Sequence, residues 1–559
     1  MNFSANLNLI GIGLFVSFLS GVSAADRPNI LFVLADDVSY RNVSCFPGSY
    51  PWAKTPGIDA LASEGMKFTR GYVGTWCMAS RVTLMTGRQQ YGNESMKLDL
   101  LKYPAAKYDP EKMPLWPSAL RRNGYQTAMI GKWHIGEEAG WGEAWDHQRV
   151  WNRCKHPHNA HAYYEAQLIE TDGGEAELID GYPTDFYTDW AIDYIQGKNR
   201  SPDKPWFLWL CYGASHGPFV PAERDSGSFP ETFTPAPADV FPPRSGKPRY
   251  MQKVNTWERG DDGRPKLKEF HTPKGSTVCR FGEDLSDWNR QYQQTIKSLD
   301  DNLGRLIKAL DESGQGEETL VVFTADQGFA FGQHGFATKM APYDANIRPP
   351  LIFRHPGNIP EDSVCHQPVT GSDIVSTLLA KSETPEPWFM HGHDFSALLA
   401  DPDLETWDHG TLLALTGIEW GDDTRHLPKL IKHIQGIPWW ISFSKGSYKY
   451  IRTLERNEIE EFYDLEKDPE ELTNLALDPS YHDLIRSMRE EAVAELSRTQ
   501  APFLKDLPKV FVLDQEVSEN FHKAGDPDRP RQEAAAEKEL KERGVLSHLH
   551  PFHQLFDLH

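Results

Sequence analysis

Cysteine is scarce in this sequence, and no two cysteines form a CxxC pair. The six that are present stand singly at positions 45, 77, 154, 211, 279 and 365 of the 559-residue chain. Structural zinc sites are usually assembled from closely spaced ligands, so this spacing argues against a zinc site. If Cys77 is consumed by a chemical modification, five cysteines remain and at least one of them has no disulfide partner.

Positive charge is also in short supply. The chain has 58 Lys and Arg residues against 80 Asp and Glu residues, and its formal net charge is −22. A general role in nucleic-acid binding is excluded, because phosphate backbones are bound by basic surfaces. An acidic enzyme can act on a sulfated polymer only through a local cationic pocket, and salt would help by screening the long-range repulsion.

Long apolar runs are absent after the first residues, so we expect no stable membrane insertion. The apolar run 9–19 precedes Val22-Ser23-Ala24, which fits the small-residue rule for signal-peptide cleavage. We therefore expect residues 1–24 to be a signal peptide and the mature protein to be secreted or periplasmic. An uncleaved membrane anchor is the alternative, although the run is short for a spanning helix.

Four short apolar runs have the composition of buried parallel strands: 29–35, 125–130, 206–212 and 319–325. Helical patterns lie between them, which predicts an α/β sheet with helices on both faces. After about residue 400 the pattern changes to a hairpin around Lys445-Gly446, a further strand over 461–465 and a helix over 470–498. We predict a large domain over 25–400, an α+β subdomain over 401–514 and a polar C-terminal arm over 515–559.

Polar residues follow each predicted strand directly. In chain order they are Asp36 and Asp37, Lys132 and His134, His216, and Asp326 and Gln327. The carboxyl ends of parallel strands share one sheet edge, where ligands bind. Adjacent aspartates usually cap a turn or helix, and a single histidine after a strand is more often structural. Four such endings on one sheet nevertheless predict a common site.

Cys77 opens the segment Cys77-Met78-Ala79-Ser80-Arg81, which we predict to start a helix that Gly87 ends. A helix N-terminus attracts anions through its free N–H groups and dipole, although a cysteine there can also be merely structural. The segment resembles the signature Cys-x-Pro/Ala-x-Arg of formylglycine-dependent sulfatases, in which the cysteine is oxidised to formylglycine. The resemblance extends through Thr86-Gly87-Arg88.

The wider resemblance is to the sulfatase family, within the alkaline-phosphatase superfamily, and covers about residues 27–400. It implies a large mixed sheet sandwiched by helices, with a smaller C-terminal α+β subdomain. Residues 27–37 resemble the first strand and metal pair of the family, 131–134 its Lys-x-His segment, and 324–328 its second metal pair. Gln327 is a departure, because Asn or His is usual there, but an amide oxygen can still bind calcium.

The resemblance implies one calcium ion per chain, held by Asp36, Asp37, Asp326 and Gln327, and hard oxygen ligands favour calcium over zinc. It implies that Lys132 and Lys339 bind the sulfate, that Arg81 orients the hydrated formylglycine, that His216 protonates the leaving alcohol and that His134 is the base. Lys339 as a solvated loop residue and structural histidines are the alternatives. Maturation would need a formylglycine-generating enzyme or an anaerobic maturase.

The segment 141–156 combines tryptophans with basic residues directly after Lys132 and His134, which predicts a loop that binds a sulfated sugar through Arg153. Tryptophans packing a long loop are the alternative. Resemblance to secreted bacterial polysaccharide sulfatases makes a carrageenan-type algal galactan the first expected substrate, before glycosaminoglycan or ulvan. A phosphoesterase or phosphonate-ester hydrolase and a non-catalytic sulfated-glycan-binding protein are the competing functions.

Overall fold

The computed structural model describes residues 27–93, 109, 111–268, 284–417, 421–428 and 436–509. The expected signal peptide, the C-terminal arm and Cys279 lie outside the described residues. Within the described part of the chain, no helix combines the length and apolar character needed to cross a bilayer. The described cysteines, Cys45, Cys77, Cys154, Cys211 and Cys365, carry free thiols.

The described strands are β1 Asn29–Ala35, β2 Met66–Phe68, β3 Gly71–Tyr72, β4 Gln126–Lys132, β5 His147–Trp151, β6 Gln167–Thr171, β7 Ala176–Ile179, β8 Trp206–Cys211, β9 Trp257–Arg259, β10 Pro265–Leu267, β11 Thr319–Ala325, β12 Leu351–Arg354, β13 Ser363–Cys365, β14 Val369–Thr370, β15 Thr411–Leu415, β16 Trp440–Lys445, β17 Tyr448–Thr453 and β18 Glu460–Asp464. Ten of them form one mixed sheet in the order β13-β2-β12-β11-β1-β8-β4-β5-β6-β7.

The four strands predicted from apolar runs form the centre of this sheet. Strands β11, β1, β8 and β4 are parallel neighbours, with Ala35 paired to Ala325 and both Leu34 and Gly131 paired to Cys211. Their last residues are therefore in register at one sheet edge. The predicted common edge is confirmed.

The described helices are α1 Pro56–Ser63, α2 Cys77–Thr86, α3 Pro117–Arg122, α4 Pro183–Ile195, α5 Leu285–Glu312, α6 Asp344–Ile347, α7 Gly371–Lys381, α8 Ser396–Ala400 and α9 His482–Arg498. Alternate residues of the central strands enter two separate cores, because successive side chains of a strand point to opposite faces. Leu31 and Val33 pack with α1, α4 and α5, whereas Phe32 and Leu34 pack with α2, α3 and α7. The predicted sandwich of helices on both faces is confirmed.

The C-terminal part is a four-stranded antiparallel sheet, β15-β16-β17-β18, covered by α9. Ile441, Phe443 and Phe462 pack against Ile485 and Met488 in a third core. The predicted hairpin and following strand are confirmed, and the helix starts at His482 rather than near residue 470. The domain boundary near residue 400 stays a prediction.

One sequence interpretation is wrong. The segment 141–156 is not a continuous loop, because His147–Trp151 forms β5 between β4 and β6 of the large sheet. Trp145 and Trp151 are fully buried, and only Trp141 of the three tryptophans is exposed, at 42%. The tryptophans therefore mostly pack the fold, which was the alternative.

Candidate active site

Two of the polar residues that follow the central strands have strained backbone conformations. Asp37 and His134 have φ angles of 60° and 56°, in the left-handed region that residues with a Cβ rarely adopt. Such conformations persist only where the surrounding structure fixes them, and they concentrate at functional sites. Asp36 and Asp37 are both buried where β1 ends, beside Asp326 at the end of β11.

Cys77 is the first residue of α2, and Gly87 ends that helix with a left-handed φ of 67°, both as predicted. The sulfur lies 2.7 Å from Lys339 Nζ, 3.7 Å from Gln327 Nε2 and 4.0 Å from Asp37 Oδ1. Burial and the negative charge of Asp36 raise the pKa of the Cys77 thiol to about 12. The unmodified cysteine is therefore a poor nucleophile, because only a thiolate attacks readily.

Arg81 lies one helical turn after Cys77 and links two strand ends. Its Nε donates to Asp326 Oδ2 at 3.1 Å, and a terminal nitrogen donates to the Lys132 carbonyl at 3.1 Å. A second terminal nitrogen lies 3.9 Å from Asp36 Oδ1. Arg81 thus contacts two of the site carboxylates and the last residue of β4.

Three buried carboxylates converge beside the cysteine. Ligand atoms of Asp36, Asp37, Asp326 and Cys77 all lie within 4.8 Å of one another. Burial and the charge of Asp36 raise the pKa of Asp326 to about 8, because like charges are confined without solvent. Among the described residues, Asp36 Oδ1 is buried without a hydrogen-bond partner. These observations fit a hard divalent cation, which an oxygen-rich donor set prefers.

Gln327 lies beside these carboxylates, but its amide nitrogen faces them, whereas the sequence predicts that its amide oxygen does. Its Nε2 donates to Asp37 Oδ1, and its Oε1 accepts from Ser80 Oγ at 3.3 Å. The oxygen and nitrogen of an amide are exchanged by a half-turn that the hydrogen-bond network decides. Gln327 can therefore act as an oxygen ligand only after that half-turn.

Two buried lysines contact the carboxylates from either side. Lys132 Nζ donates to Asp36 Oδ2, and Lys339 Nζ donates to both oxygens of Asp37 at 2.8 and 2.9 Å. Burial alone would raise the pKa of Asp36, but Lys132, His216 and Arg81 hold it well below its usual value. The site therefore places fixed positive charge next to the cysteine.

Both candidate histidines are buried, and their contacts define which ring nitrogen carries hydrogen. His216 Nδ1 lies 2.7 Å from the Gly217 carbonyl, which can only accept, and Nε2 lies 3.7 Å from Asp37 Oδ2. His134 Nε2 lies 3.4 Å from a terminal nitrogen of Arg153, which can only donate. Burial is the largest cause that lowers the pKa of each histidine well below its usual value.

Arg153 lies inside the site rather than at its rim. It is 3% exposed, and its Nε donates to the Ala160 carbonyl at 3.0 Å while another nitrogen contacts His134. The sequence predicts Arg153 in a loop that binds a sulfated sugar, whereas the structure places it directly after β5 with its guanidinium buried beside His134. The guanidinium contacts the Ala160 carbonyl and His134. Substrate binding by Arg153 stays a prediction.

The structure also brings in Tyr163, which the sequence interpretation missed. Its hydroxyl accepts from Lys132 Nζ at 3.2 Å, and its ring stacks on His216. No strand end or spaced motif marks this residue, so no local signal could have found it. Its neighbours come from three separate parts of the chain.

Known proteins resemble this chain over most of its length. A sequence profile of the sulfatase family matches residues 28–381, and one for the C-terminal part of N-sulphoglucosamine sulphohydrolase matches residues 332–498. An N-acetylglucosamine-6-O-sulfatase of Bacteroides thetaiotaomicron is 26% identical over 540 residues, which cover 88% of this chain and 91% of that protein.

Solved structures share the fold. A protein in complex with its substrate D-glucosamine-2-N,6-O-disulfate aligns with a TM-score of 0.68 and 22% identity, covering 85% of this chain and 98% of that one. Another, in complex with k-i-k-neocarrahexaose, aligns with a TM-score of 0.60 and 18% identity, covering 90% and 99% of the two chains. The predicted arrangement, a large mixed sheet between helices with a smaller C-terminal α+β part, is confirmed.

Proposed function

The chain belongs to the sulfatase family of the alkaline-phosphatase superfamily, and we propose that this sulfatase removes sulfate from a carbohydrate by means of a formylglycine formed from Cys77. The observation that carries the proposal is the position of Cys77 at the start of α2. There its sulfur contacts Lys339 and lies beside the carboxylate group of Asp36, Asp37 and Asp326.

The Cys77 sulfur marks the place of a reacting oxygen. Oxidation of the cysteine leaves an aldehyde, and its hydrate carries two hydroxyl groups on the former Cβ. One hydroxyl gives its proton to the neighbouring Asp37 carboxylate and attacks sulfur. The other later releases its proton as the aldehyde reforms and sulfate departs. The high pKa of the unmodified thiol fits this scheme, because the cysteine is then a precursor rather than the nucleophile.

Asp36, Asp37, Asp326 and Gln327 would hold a calcium ion in this proposal. When bound, such an ion supplies positive charge next to the hydrated formylglycine and the sulfate. Arg81 keeps Asp326 in place through its 3.1 Å hydrogen bond. The orphaned oxygen of Asp36 and the raised pKa of Asp326 support the assignment.

The remaining charged residues act on the substrate. Lys132 and Lys339 bind sulfate oxygens and offset charge that develops in the transition state. His216, protonated on both ring nitrogens at this step, donates its Nε2 proton to the departing alcohol, and His134 takes the proton of the second hydroxyl. Each such proton transfer contributes about 10²–10⁴ in rate.

We propose a sulfated polysaccharide or oligosaccharide as the substrate and a secreted or periplasmic location. The N-acetylglucosamine-6-O-sulfatase relative supports a sulfated amino sugar. The structural match to a protein bound to k-i-k-neocarrahexaose keeps the carrageenan-type galactan as a candidate. The signal peptide predicted over residues 1–24 supports secretion.

The test is sulfate release by protein co-expressed with a formylglycine-generating enzyme. A panel of glycosaminoglycan, carrageenan and ulvan fragments is assayed beside one aryl sulfate and the matching aryl phosphate and phosphonate. We expect an aldehyde on the Cys77 peptide by mass spectrometry and the highest kcat/KM on one sulfated glycan. Cys77→Ala should be inactive, and Cys154→Ala, which removes a buried thiol elsewhere, should be active.

Three outcomes would contradict the proposal. Unmodified Cys77 in fully active protein would exclude the formylglycine mechanism. Preference for the aryl phosphate or phosphonate over the aryl sulfate would favour the competing esterase function. Binding of a sulfated glycan without turnover by aldehyde-bearing protein would favour the non-catalytic alternative.

A further inference from the structure

Tyr163 contacts two residues of the proposed mechanism at once. It is 1% exposed, and its ring lies parallel to the His216 imidazole, with ring centroids 4.2 Å apart and an interplanar angle of 2°. Its hydroxyl accepts a hydrogen bond from Lys132 Nζ at 3.2 Å. One side chain thus joins the candidate proton donor to a candidate sulfate-binding lysine.

The Tyr163 ring is itself held from several sides. The Trp151 ring packs edge-on against it at a centroid distance of 4.8 Å and an angle of 79°. The Arg153 guanidinium lies 4.9 Å from its centroid, within the range of a cation–π contact. Because Trp151 belongs to β5 and Arg153 follows it, the large sheet fixes the orientation of the tyrosine.

His216 is fixed at its other atoms by independent contacts. The hydroxyl of Tyr164 donates to the His216 carbonyl at 2.7 Å, and His216 Nδ1 donates to the Gly217 carbonyl at 2.7 Å. These contacts set the backbone position and the tautomer. The parallel face of Tyr163 sets the ring plane, which otherwise varies widely because the terminal torsion of histidine is broad. Nε2 then faces Asp37 at 3.7 Å.

We propose that Tyr163 is a positioning residue that holds the His216 imidazole in the plane required for protonation of the leaving alcohol. The inference rests on the proposed function. In that step a formylglycine hydroxyl gives its proton to Asp37, whose Oδ1 lies 4.0 Å from the Cys77 sulfur, and its oxygen bonds to sulfur. The bond from sulfur to the alcohol oxygen breaks with its electron pair on that oxygen. In this step the His216 ring is protonated on both nitrogens: the Nε2–H bond breaks and its proton goes to the alcohol oxygen, while Nδ1 keeps its hydrogen on the Gly217 carbonyl. Proton donation needs an approach of about 2.6–3.2 Å, so a rotated ring would fail.

The experiment measures how kcat depends on the acidity of the leaving group. Wild type, Tyr163→Phe, Tyr163→Leu and His216→Ala are assayed on aryl sulfates of phenols with graded acidity. A phenol that leaves easily needs little protonation, whereas a weakly acidic phenol or an alcohol depends on it. Loss of His216 orientation therefore steepens the dependence of kcat on the acidity of the phenol. General damage to the site would instead lower kcat by the same factor on every phenol.

We expect Tyr163→Leu to lower kcat about 10- to 100-fold on the least acidic phenol, within the range of general acid catalysis, and far less on the most acidic one. Tyr163→Phe keeps the stacked ring, so its leaving-group dependence should match wild type while KM rises through the lost Lys132 contact. In a His216→Ala background, Tyr163→Leu should not steepen the dependence of kcat on leaving-group acidity further, because both changes remove the same contribution of His216.

An equal loss on all phenols in Tyr163→Leu would overturn the inference, as would a steepened dependence in Tyr163→Phe. Should Tyr163→Leu fail to fold, Tyr163→Met supplies the same test, because the methionine side chain adapts to irregular space without providing a planar face. Failure of the proposed function is recognised separately, since aldehyde-bearing wild type would then hydrolyse none of the aryl sulfates.

Discussion

Lys449 is the residue whose replacement tests the reasoning on buried charge most directly. It is fully buried on β17, and its ammonium lies 2.8 Å from Asp344 Oδ1 and 2.9 Å from Glu471 Oε1. Lys449→Met keeps an unbranched side chain and removes the charge. Asp344 retains Arg348 at 2.9 Å, but the buried Glu471 carboxylate loses its ion-pair partner.

Breaking a buried ion pair by removing one partner costs about 3–5 kcal/mol, because the other charge is left uncompensated. At about 1.4 kcal/mol per factor of ten, the folding equilibrium constant should fall by roughly two to three and a half powers of ten. Denaturant unfolding followed by fluorescence measures the loss. Lys445→Met on the same hairpin is the matched control, since Lys445 pairs with the more exposed Asp408 and Glu491. Exposed pairs contribute about 0–1 kcal/mol.

The loss from Lys449→Met should also depend on pH through Glu471. Burial raises the pKa of Glu471 to about 7, although Lys449 opposes the rise. A folded pKa above the unfolded value of about 4.3 means that its stabilising contribution is complete below pH ~4.3 and is lost as pH rises through 7. Removing Lys449 raises this pKa further, so the deficit should be smaller at pH 5 than at pH 8. A loss no larger than that of Lys445→Met, or one larger at pH 5, would refute the reasoning.

Three further changes test the site. Chelation by EGTA should lower both activity and the unfolding temperature, because a native-state ligand stabilises the fold, and no change in either would count against the metal assignment. Arg153→Ala should reduce turnover of glycan and small aryl sulfate alike, since Arg153 contacts His134; a loss confined to the glycan would favour the predicted role of Arg153 in binding the sugar. Arg81→Lys should lower kcat, because lysine cannot reproduce both bonds to Asp326 and the Lys132 carbonyl, and wild-type kcat would contradict this.

The central sheet could be predicted because its strands are buried on both faces. Asn29–Ala35 and Thr319–Ala325 are wholly buried, so each is a continuous apolar run that ends where the chain reaches the site. The carboxyl-end rule then brings Asp36 and Asp326 together without further information. The apolar runs that predict the strands therefore also locate the site residues.

Strand β5 could not be predicted by the same reasoning. Its residues, His147–Trp151, mix polar and apolar types, and the strand exists because β4 and β6 pair with it. Without that pairing, 141–156 has only the composition of an aromatic and basic loop. The error carried over to Arg153, whose position follows from the end of β5. Tyr163 was missed for a related reason, because its contacts are entirely tertiary.

The C-terminal sheet contacts the segment 339–344, which carries Lys339 of the candidate active site. Trp440 Nε1 donates to the Met340 carbonyl at 2.9 Å, and the Tyr343 hydroxyl donates to Glu461 Oε2 at 2.8 Å. Lys449 binds Asp344 at the end of the same segment. Lys339 is thus anchored on one side by the C-terminal sheet and on the other by Asp37 and the Cys77 sulfur. Lys449→Met should consequently disturb activity at temperatures below global unfolding, because it removes the contact to Asp344, which lies five residues after Lys339.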